Sequence, residues 1–199
     1  MGEEVVVLLG IGALALGGFH QVDDVKVKPR DDTIYSIKDF IRPMDVLDVA
    51  NLCDDTNGAW DLVCSSISYV EDPTEHWQFP LETWDKKEGD CEDTSFLLAS
   101  ILRNNLEDAY VCAGLFKSRG QSWGHAWVAY DGYIFETTLD EIPSRWATER
   151  EFSNNYQPFM YWHDQDILVK AGYKNILNVA KGIGGKKEAI EEVWKRLKS

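Results

Sequence analysis

Three side chains in this sequence can together activate a thiol: Cys91, His125 and Glu136. Cys91 lies in Gly-Asp-Cys-Glu-Asp at residues 89–93, and His125 lies in Gly-His-Ala-Trp-Val at residues 124–128. A thiolate can attack a carbonyl carbon, an imidazole can take up and return the thiol proton, and a carboxylate can orient the imidazole. The three residues therefore predict nucleophilic thiol chemistry.

The segment that carries the histidine predicts a β-hairpin. Two strand-like runs, 125–130 and 133–138, flank Asp131-Gly132, which is a strong signal for a two-residue turn. Such a turn places His125 and Glu136 on the same face of the hairpin as diagonal neighbours, because side chains alternate along a strand. The turn thus predicts an imidazole–carboxylate pair.

A second carboxylate could orient the histidine. Asp140 occupies the other diagonal position, just beyond the predicted strand. Its side chain is one methylene shorter than that of Glu136, so it differs in reach and not in charge. We take Glu136 as the third member of the site and Asp140 as the alternative.

The cysteine is predicted to lie in the first turn of a helix. Asp90 is a suitable N-cap, Asp93 follows three residues later, and apolar residues continue the helical period. The positive end of a helix favours the thiolate of Cys91. The acidic neighbours, including Glu92, act in the opposite direction, so a protonated His125 is expected to supply most of the stabilisation.

The other cysteines are expected to be structural. Cys53, Cys64 and Cys112 lie among apolar residues, and their spacing matches neither a disulfide framework nor a zinc site. Reduced thiols favour a reducing compartment, so we expect a cytoplasmic or assembly-associated protein. We expect no metal and no cofactor.

The sequence around these residues resembles the transglutaminase-like superfamily of papain-like thiol enzymes, and in particular the bacterial and archaeal transglutaminase-like cysteine peptidases. Residues 77–84 (Trp-Gln-Phe-Pro-Leu-Glu-Thr-Trp) followed by 89–93 resemble that family's approach to its nucleophile. Residues 124–128 resemble its histidine strand. Residues 135–138 fall where the family usually has an aspartate followed by threonine, and this chain departs from it in having glutamate. The resemblance covers residues 43–140.

The resemblance implies an α+β fold of the papain-like, transglutaminase-core type, in which the cysteine-bearing helix packs on a small antiparallel sheet. It also implies amide chemistry through a thioester: Cys91 attacks a peptide or carboxamide carbonyl and His125 protonates the leaving amine. An upstream polar side chain would stabilise the oxyanion together with the backbone N–H at the cysteine, and Gln78 or Trp84 could fill that role.

Composition limits the partners. The net charge of −14 over 199 residues opposes binding to nucleic acid through bulk electrostatics, so we expect a protein or peptide substrate and no nucleic acid. The apolar, glycine-rich run 5–19 is too short to span a bilayer as a regular helix. A packed arm, a signal peptide, a membrane anchor and a contact within an assembly stay open for it.

We divide the chain into an N-terminal arm and linker (1–33), a catalytic domain (34–165) and a C-terminal helical extension (166–199). Residues 20–33 are expected to be irregular. The extension is expected to contain a helix at 166–180, a glycine hinge at 182–185 and a terminal helix. One face of the terminal helix carries apolar residues and should dock: Ile190, Val193, Trp194 and Leu197.

The favoured function is thiol-dependent hydrolysis of peptide or carboxamide bonds. One alternative is an acyl transferase that cross-links glutamine side chains to amines. The other is a non-catalytic binding or structural protein of a larger assembly. The presence of all three chemical groups favours an enzyme.

Overall fold

The computed structural model describes residues 8–16, 18–72, 76–105, 108–171 and 186–197, with the backbone path only at 8–16. Within these ranges the structure has five α-helices and one large antiparallel sheet, so the fold belongs to the α+β class. The expected α+β class is confirmed, and its antiparallel sheet has nine strands within the described ranges, which is larger than the small sheet expected.

The helices and strands have the following bounds. The helices are α1 (Leu47–Ala50), α2 (Thr56–Ser66), α3 (Pro80–Lys86), α4 (Cys91–Leu102) and α5 (Lys186–Trp194), with short 3₁₀ turns at Ile37–Phe40, Pro43–Val46 and Lys195–Leu197. The strands are β1 (Leu8–Leu16), β2 (Phe19–Val27), β3 (Tyr35–Ser36), β4 (Ser68–Tyr69), β5 (Glu88–Gly89), β6 (Tyr110–Ser118), β7 (Gln121–Tyr130), β8 (Tyr133–Phe135), β9 (Ala147–Thr148), β10 (Tyr156–Trp162) and β11 (Ile167–Lys170).

The order of strands in the sheet is β1-β2-β11-β10-β6-β7-β8-β9, and β3 pairs with the end of β2. The long strands β6 and β7 lie near its centre and pair from Tyr110–Ala129 to Ser118–Gln121. A separate pair, β4 with β5, is parallel and sets Tyr69 opposite Gly89. That small pair brings Tyr69 next to the segment that carries Cys91.

The predicted hairpin is present. Tyr130 pairs with Tyr133, and both turn residues have positive φ, 49° at Asp131 and 75° at Gly132, as a type I′ turn requires. The ladder between β7 and β8 ends at the pair Val128–Phe135, so the second strand is shorter than the predicted run 133–138 and Glu136 lies just beyond it.

Helix α4 is the central helix of the molecule. It begins at Cys91, as predicted, and its side chains are buried except for that of Glu92, which is half-buried. The ring of Phe96 packs against Phe40 and Trp77, with centroids 5.3 Å apart in both contacts. Burial of such rings contributes roughly 1.5–3 kcal/mol each, which anchors the helix against the segment that precedes it.

The expected irregular lead-in at 20–33 is wrong for residues 20–27. Strand β2 occupies Phe19–Val27 and lies between β1 and β11 in the sheet. Its valines Val22, Val25 and Val27 are buried, whereas the charged residues between them reach solvent. Those charges obscured the strand in the sequence.

The expected helix at 166–180 is also wrong where it can be compared, because Ile167–Lys170 is strand β11. The remainder of that helix and the glycine hinge at 182–185 lie outside the described residues. The terminal helix is confirmed as α5, and its predicted apolar face is buried. The division of the chain into three parts stays a prediction.

Within the described ranges, no helix combines the length and the apolar character needed to cross a membrane. Within run 5–19, residues Leu8–Leu16 form strand β1, which pairs with β2, and Phe19 is the first residue of β2.

Candidate active site

The predicted imidazole–carboxylate pair is present and fully buried. Nε2 of His125 lies 2.7 Å from Oε2 of Glu136, and both side chains have no solvent-exposed area. The backbone N–H and the hydroxyl of Thr138 donate to the other carboxylate oxygen at 3.0 and 2.8 Å. Glu136 is therefore held from both sides, and it holds the ring of His125 through one nitrogen.

A further chain of hydrogen bonds extends from Glu136 to helix α5. The hydroxyl of Tyr156, on β10, donates to Oε2 of Glu136 at 2.6 Å. The indole N–H of Trp194, on α5, donates to the oxygen of Tyr156 at 2.7 Å. Helix α5 thus contributes to the order of the pair through Trp194, which contacts Glu136 by way of Tyr156.

These contacts fix the charge of Glu136. Its burial acts to raise the pKa of the carboxyl, but His125, Tyr156 and the backbone at Thr138 act together in the opposite direction and hold that pKa below its usual range. The group is a carboxylate at neutral pH, so the ring of His125 donates from Nε2. The second ring nitrogen, Nδ1, is buried and has no hydrogen-bond partner among the described residues.

The cysteine half of the site is built at the start of α4. Gly89 must be glycine, because a Cβ there would lie 2.8 Å from Cβ of Asp93. One turn into the helix, the hydroxyl of Thr94 lies 2.8 Å from that of Thr137, the neighbour of Glu136. This contact docks the first turn of α4 onto the chain segment that carries the carboxylate.

The sulfur of Cys91 has two polar partners. Its thiol donates to Oε2 of Glu92 at 3.0 Å, and the ammonium of Lys186 donates to the sulfur at 3.2 Å. The same ammonium lies 3.4 Å from the carbonyl oxygen of Gly124, the residue before His125. Cys91 and the histidine strand therefore meet at Lys186, whereas the sulfur makes no hydrogen bond to the His125 ring.

The electrostatics of this half oppose ionisation. Burial raises the pKa of the Cys91 thiol well above its usual value; Lys186 acts to lower it, and Glu92 and Asp90 raise it further. Asp90 is itself buried, and its pKa rises to about 10 because of burial and the nearby carboxylates of Glu92 and Asp93. One of its carboxyl oxygens has no hydrogen-bond partner among the described residues.

The remaining predicted site residues lie in other surroundings. Asp140 is exposed and pairs with Lys187 on α5. The side-chain amide of Gln78 donates to Asp93 at 2.8 Å and to the carbonyl of Glu88 at 3.2 Å, so in this structure its donors are directed at the protein. The ring of Trp84 lies under the ammonium of Lys87. The oxyanion role of Gln78 or Trp84 stays a prediction.

The three other cysteines are in the environments expected from the sequence. Cys64 and Cys112 are buried, Cys53 is half-buried, and all are free thiols. Burial raises the pKa of each of these thiols. In the part of the chain that the structure describes, no group of three or more His, Cys, Asp or Glu side chains is placed to hold a metal ion.

Four residues near the site were not identified as site residues from the sequence: Tyr69, Tyr156, Lys186 and Trp194. Tyr69 carries a buried hydroxyl, and burial and the neighbouring Cys91 raise its pKa, whereas Lys186 acts to lower it. All four lie outside the motifs along the chain, and a lone Tyr, Lys or Trp carries no signal of its own. Only the docking of β10 and α5 and the β4–β5 pair bring them to the site.

Comparison with known proteins finds a similar solved structure but no match in sequence. No protein-family model and no curated protein sequence matches the chain. Among solved structures, the chain is similar to calcium-bound Legionella pneumophila LapG, with a TM-score of 0.48 and 13% identity over 79% of this chain and 97% of that one. The EGTA-treated form of LapG gives a TM-score of 0.47 over 80% of this chain and 97% of that one, also at 13% identity.

Proposed function

We propose that the protein hydrolyses peptide or carboxamide bonds through a thioester on Cys91, with His125 as general base and acid and Glu136 as the residue that orients the imidazole. The observation that carries this proposal is the buried His125–Glu136 pair, in which one ring nitrogen is engaged and the other has no hydrogen-bond partner among the described residues. A ring held in this way is suited to accept a proton at Nδ1 and return it.

The position of the thiol supports the same assignment. Cys91 is the first residue of α4, and the first turn of that helix contacts the segment next to Glu136. Because Lys186 contacts both the sulfur and the carbonyl of Gly124, the nucleophile and the histidine strand lie on either side of one ammonium group. The resemblance of residues 43–140 to transglutaminase-like cysteine peptidases favours amide substrates in a protein or peptide.

The reaction follows from these roles. The thiol of Cys91 passes its proton to His125, and the sulfur attacks the amide carbonyl. The imidazolium, stabilised by the carboxylate of Glu136, protonates the leaving amine as the C–N bond breaks. Water then attacks the thioester, His125 takes the proton of that water, and the acid product and the free thiol are released.

The test is turnover of a pool of fluorogenic peptide amides, together with a glutamine-containing protein and a labelled primary amine. We expect amide cleavage by the native chain and by Cys112→Ala, and a loss of at least about a hundredfold in Cys91→Ala and His125→Ala. Incorporation of the amine without cleavage would assign the acyl-transferase alternative. No turnover together with no thioester on Cys91 would favour a binding protein.

A further inference from the structure

The environment of Cys91 lacks a positive charge from the residues of the sequence motif. The neighbours of the sulfur on α4 and at its cap supply no positive charge: Glu92 is acidic and lies at 3.0 Å, and Asp90 is a buried carboxyl group. The His125 ring makes its one polar contact with Glu136 and none with the sulfur. A thiolate at this position therefore needs a cation from elsewhere in the chain.

Lys186 is that cation in the structure. Its ammonium lies 3.2 Å from the sulfur of Cys91 and also donates to the carbonyl of Gly124 at 3.4 Å, so two contacts from different elements fix its place. Burial acts to lower the pKa of Lys186, but the sulfur of Cys91 and the hydroxyl of Tyr69 outweigh it and raise that pKa. The group is an ammonium at neutral pH.

The rest of α5 keeps Lys186 at the sulfur. Ile190 and Trp194 are completely buried, and Val193 is nearly so. Trp194 also donates to Tyr156, which donates to Glu136, so the same helix contacts both halves of the site. Lys187, the next residue, points to the exposed Asp140 instead and does not contact the sulfur in the described structure.

We propose that Lys186 is a catalytic residue of the thiol site, the counter-ion that stabilises the Cys91 thiolate, and that the docked helix α5 is therefore part of the active site. This inference rests on the proposed function in taking Cys91 as the nucleophile. In the resting state the thiol proton is directed to Glu92 and the ammonium donates to the sulfur. When the proton passes to His125, the sulfur becomes an anion that stays in contact with Lys186.

The test measures the thiol directly and needs no substrate. The rate of Cys91 alkylation by iodoacetamide is followed against pH by mass spectrometry for the native chain, Lys186→Met, Lys186→Arg and the matched control Lys187→Met. The groups that face the sulfur are Asp90 and Glu92 from α4 and its cap, Tyr69 from β4, and Lys186 from α5, with His125 on the adjoining strand. The Lys186 variants change one of them and leave the others in place.

We expect the midpoint of the pH–rate profile to rise by about one pH unit or more in Lys186→Met, which lowers the rate near neutral pH about tenfold. Lys186→Arg should retain most of the native midpoint, and Lys187→Met all of it. An unchanged midpoint in Lys186→Met would overturn the proposal. This holds even if the alkylation rate at high pH rises, because Lys186 would then only limit access of the reagent to the sulfur. Tryptophan fluorescence reports whether α5 stays docked, since Trp194 lies on it.

This outcome is separate from that of the proposed function. If the protein cleaves no amide but Lys186→Met shifts the midpoint, the role of Lys186 is supported and the proposed reaction is refuted. If the protein cleaves amides through Cys91 and Lys186→Met leaves the midpoint unchanged, the reaction is supported and the role of Lys186 is refuted.

Discussion

The two halves of the site bury carboxylates to a similar degree and leave them in opposite states. Glu136 accepts hydrogen bonds from His125, Tyr156 and Thr138, and its pKa lies below the usual range although it is fully buried. Asp90 is 8% exposed, has one oxygen without a partner among the described residues, and has its pKa raised to about 10. Burial alone does not set the charge; the donors around the group decide it.

The two halves therefore have different tasks. The histidine half is pre-organised, because each oxygen of Glu136 has a donor and the ring is held in one orientation. In the cysteine half, the three acidic residues Asp90, Glu92 and Asp93 lie within one turn at the start of α4, where their proximity to one another is electrostatically unfavourable. Such a thiol depends on a cation from another part of the fold, which is the place that Lys186 takes.

The largest effect is expected when the carboxylate of Glu136 is removed from the histidine half. Glu136→Ala leaves the buried donors of His125, Tyr156 and Thr138 without an acceptor, and we expect it to lower the free energy of unfolding by roughly 3–5 kcal/mol. Urea denaturation at pH 7 measures the change. The alkylation rate of Cys91 should fall in the same variant, because the imidazole loses its orientation.

The matched control for that variant is Glu149→Ala. Glu149 also accepts a hydrogen bond from a tyrosine, Tyr161, at 2.8 Å, but both residues are only partly buried and lie outside the site. We expect a cost of no more than about 1 kcal/mol. Equal losses in the two variants would show that the Glu136 network has no special weight.

A smaller effect on stability is expected from Asp90, the buried carboxyl of the cysteine half. The unfolded chain releases the proton of Asp90 above pH about 4, whereas the folded chain, with its pKa near 10, keeps it. The folded state therefore binds more protons between these values, and Asp90 lowers stability as pH rises, by up to about 1.4 kcal/mol per pH unit. Asp90→Asn keeps a capping side chain and removes this penalty.

We expect Asp90→Asn to be more stable than the native chain by roughly 1–3 kcal/mol at pH 8, with a difference that shrinks toward pH 5. Urea denaturation across this range measures it. The exposed Asp140→Asn serves as the comparison and should change stability by less than about 0.5 kcal/mol at any of these pH values. A native chain that is as stable at pH 8 as its Asp90→Asn variant would contradict a protonated Asp90 in the folded state.

The parts of this molecule that were predictable from the sequence rest on local signals. The Asp131-Gly132 turn sets the register of the hairpin up to the pair Val128–Phe135, and Glu136 follows directly after that ladder and meets His125. The cap at Asp90 marks the start of α4. In each case the few residues that decide the geometry are neighbours along the chain.

The parts that were missed depend on contacts between distant segments. Tyr156 and Trp194 complete the Glu136 network from β10 and α5, and no fixed spacing in the sequence links them to it. Strand β2 was missed because charged residues separate its buried valines, and its partner β11 comes from the other end of the chain. Tertiary pairing of this kind overrides local propensity.

The sulfur of Cys91 and the ring of His125 are expected to act as one unit, and this is the central claim. The direct measurement is the rate of Cys91 alkylation at pH 7 in the native chain and in His125→Ala, with Cys53 in the same sample as the internal reference. We predict that Cys91 reacts at least about tenfold more slowly in the variant while Cys53 is unaffected. An unchanged rate at Cys91, in a variant that remains folded, would contradict it.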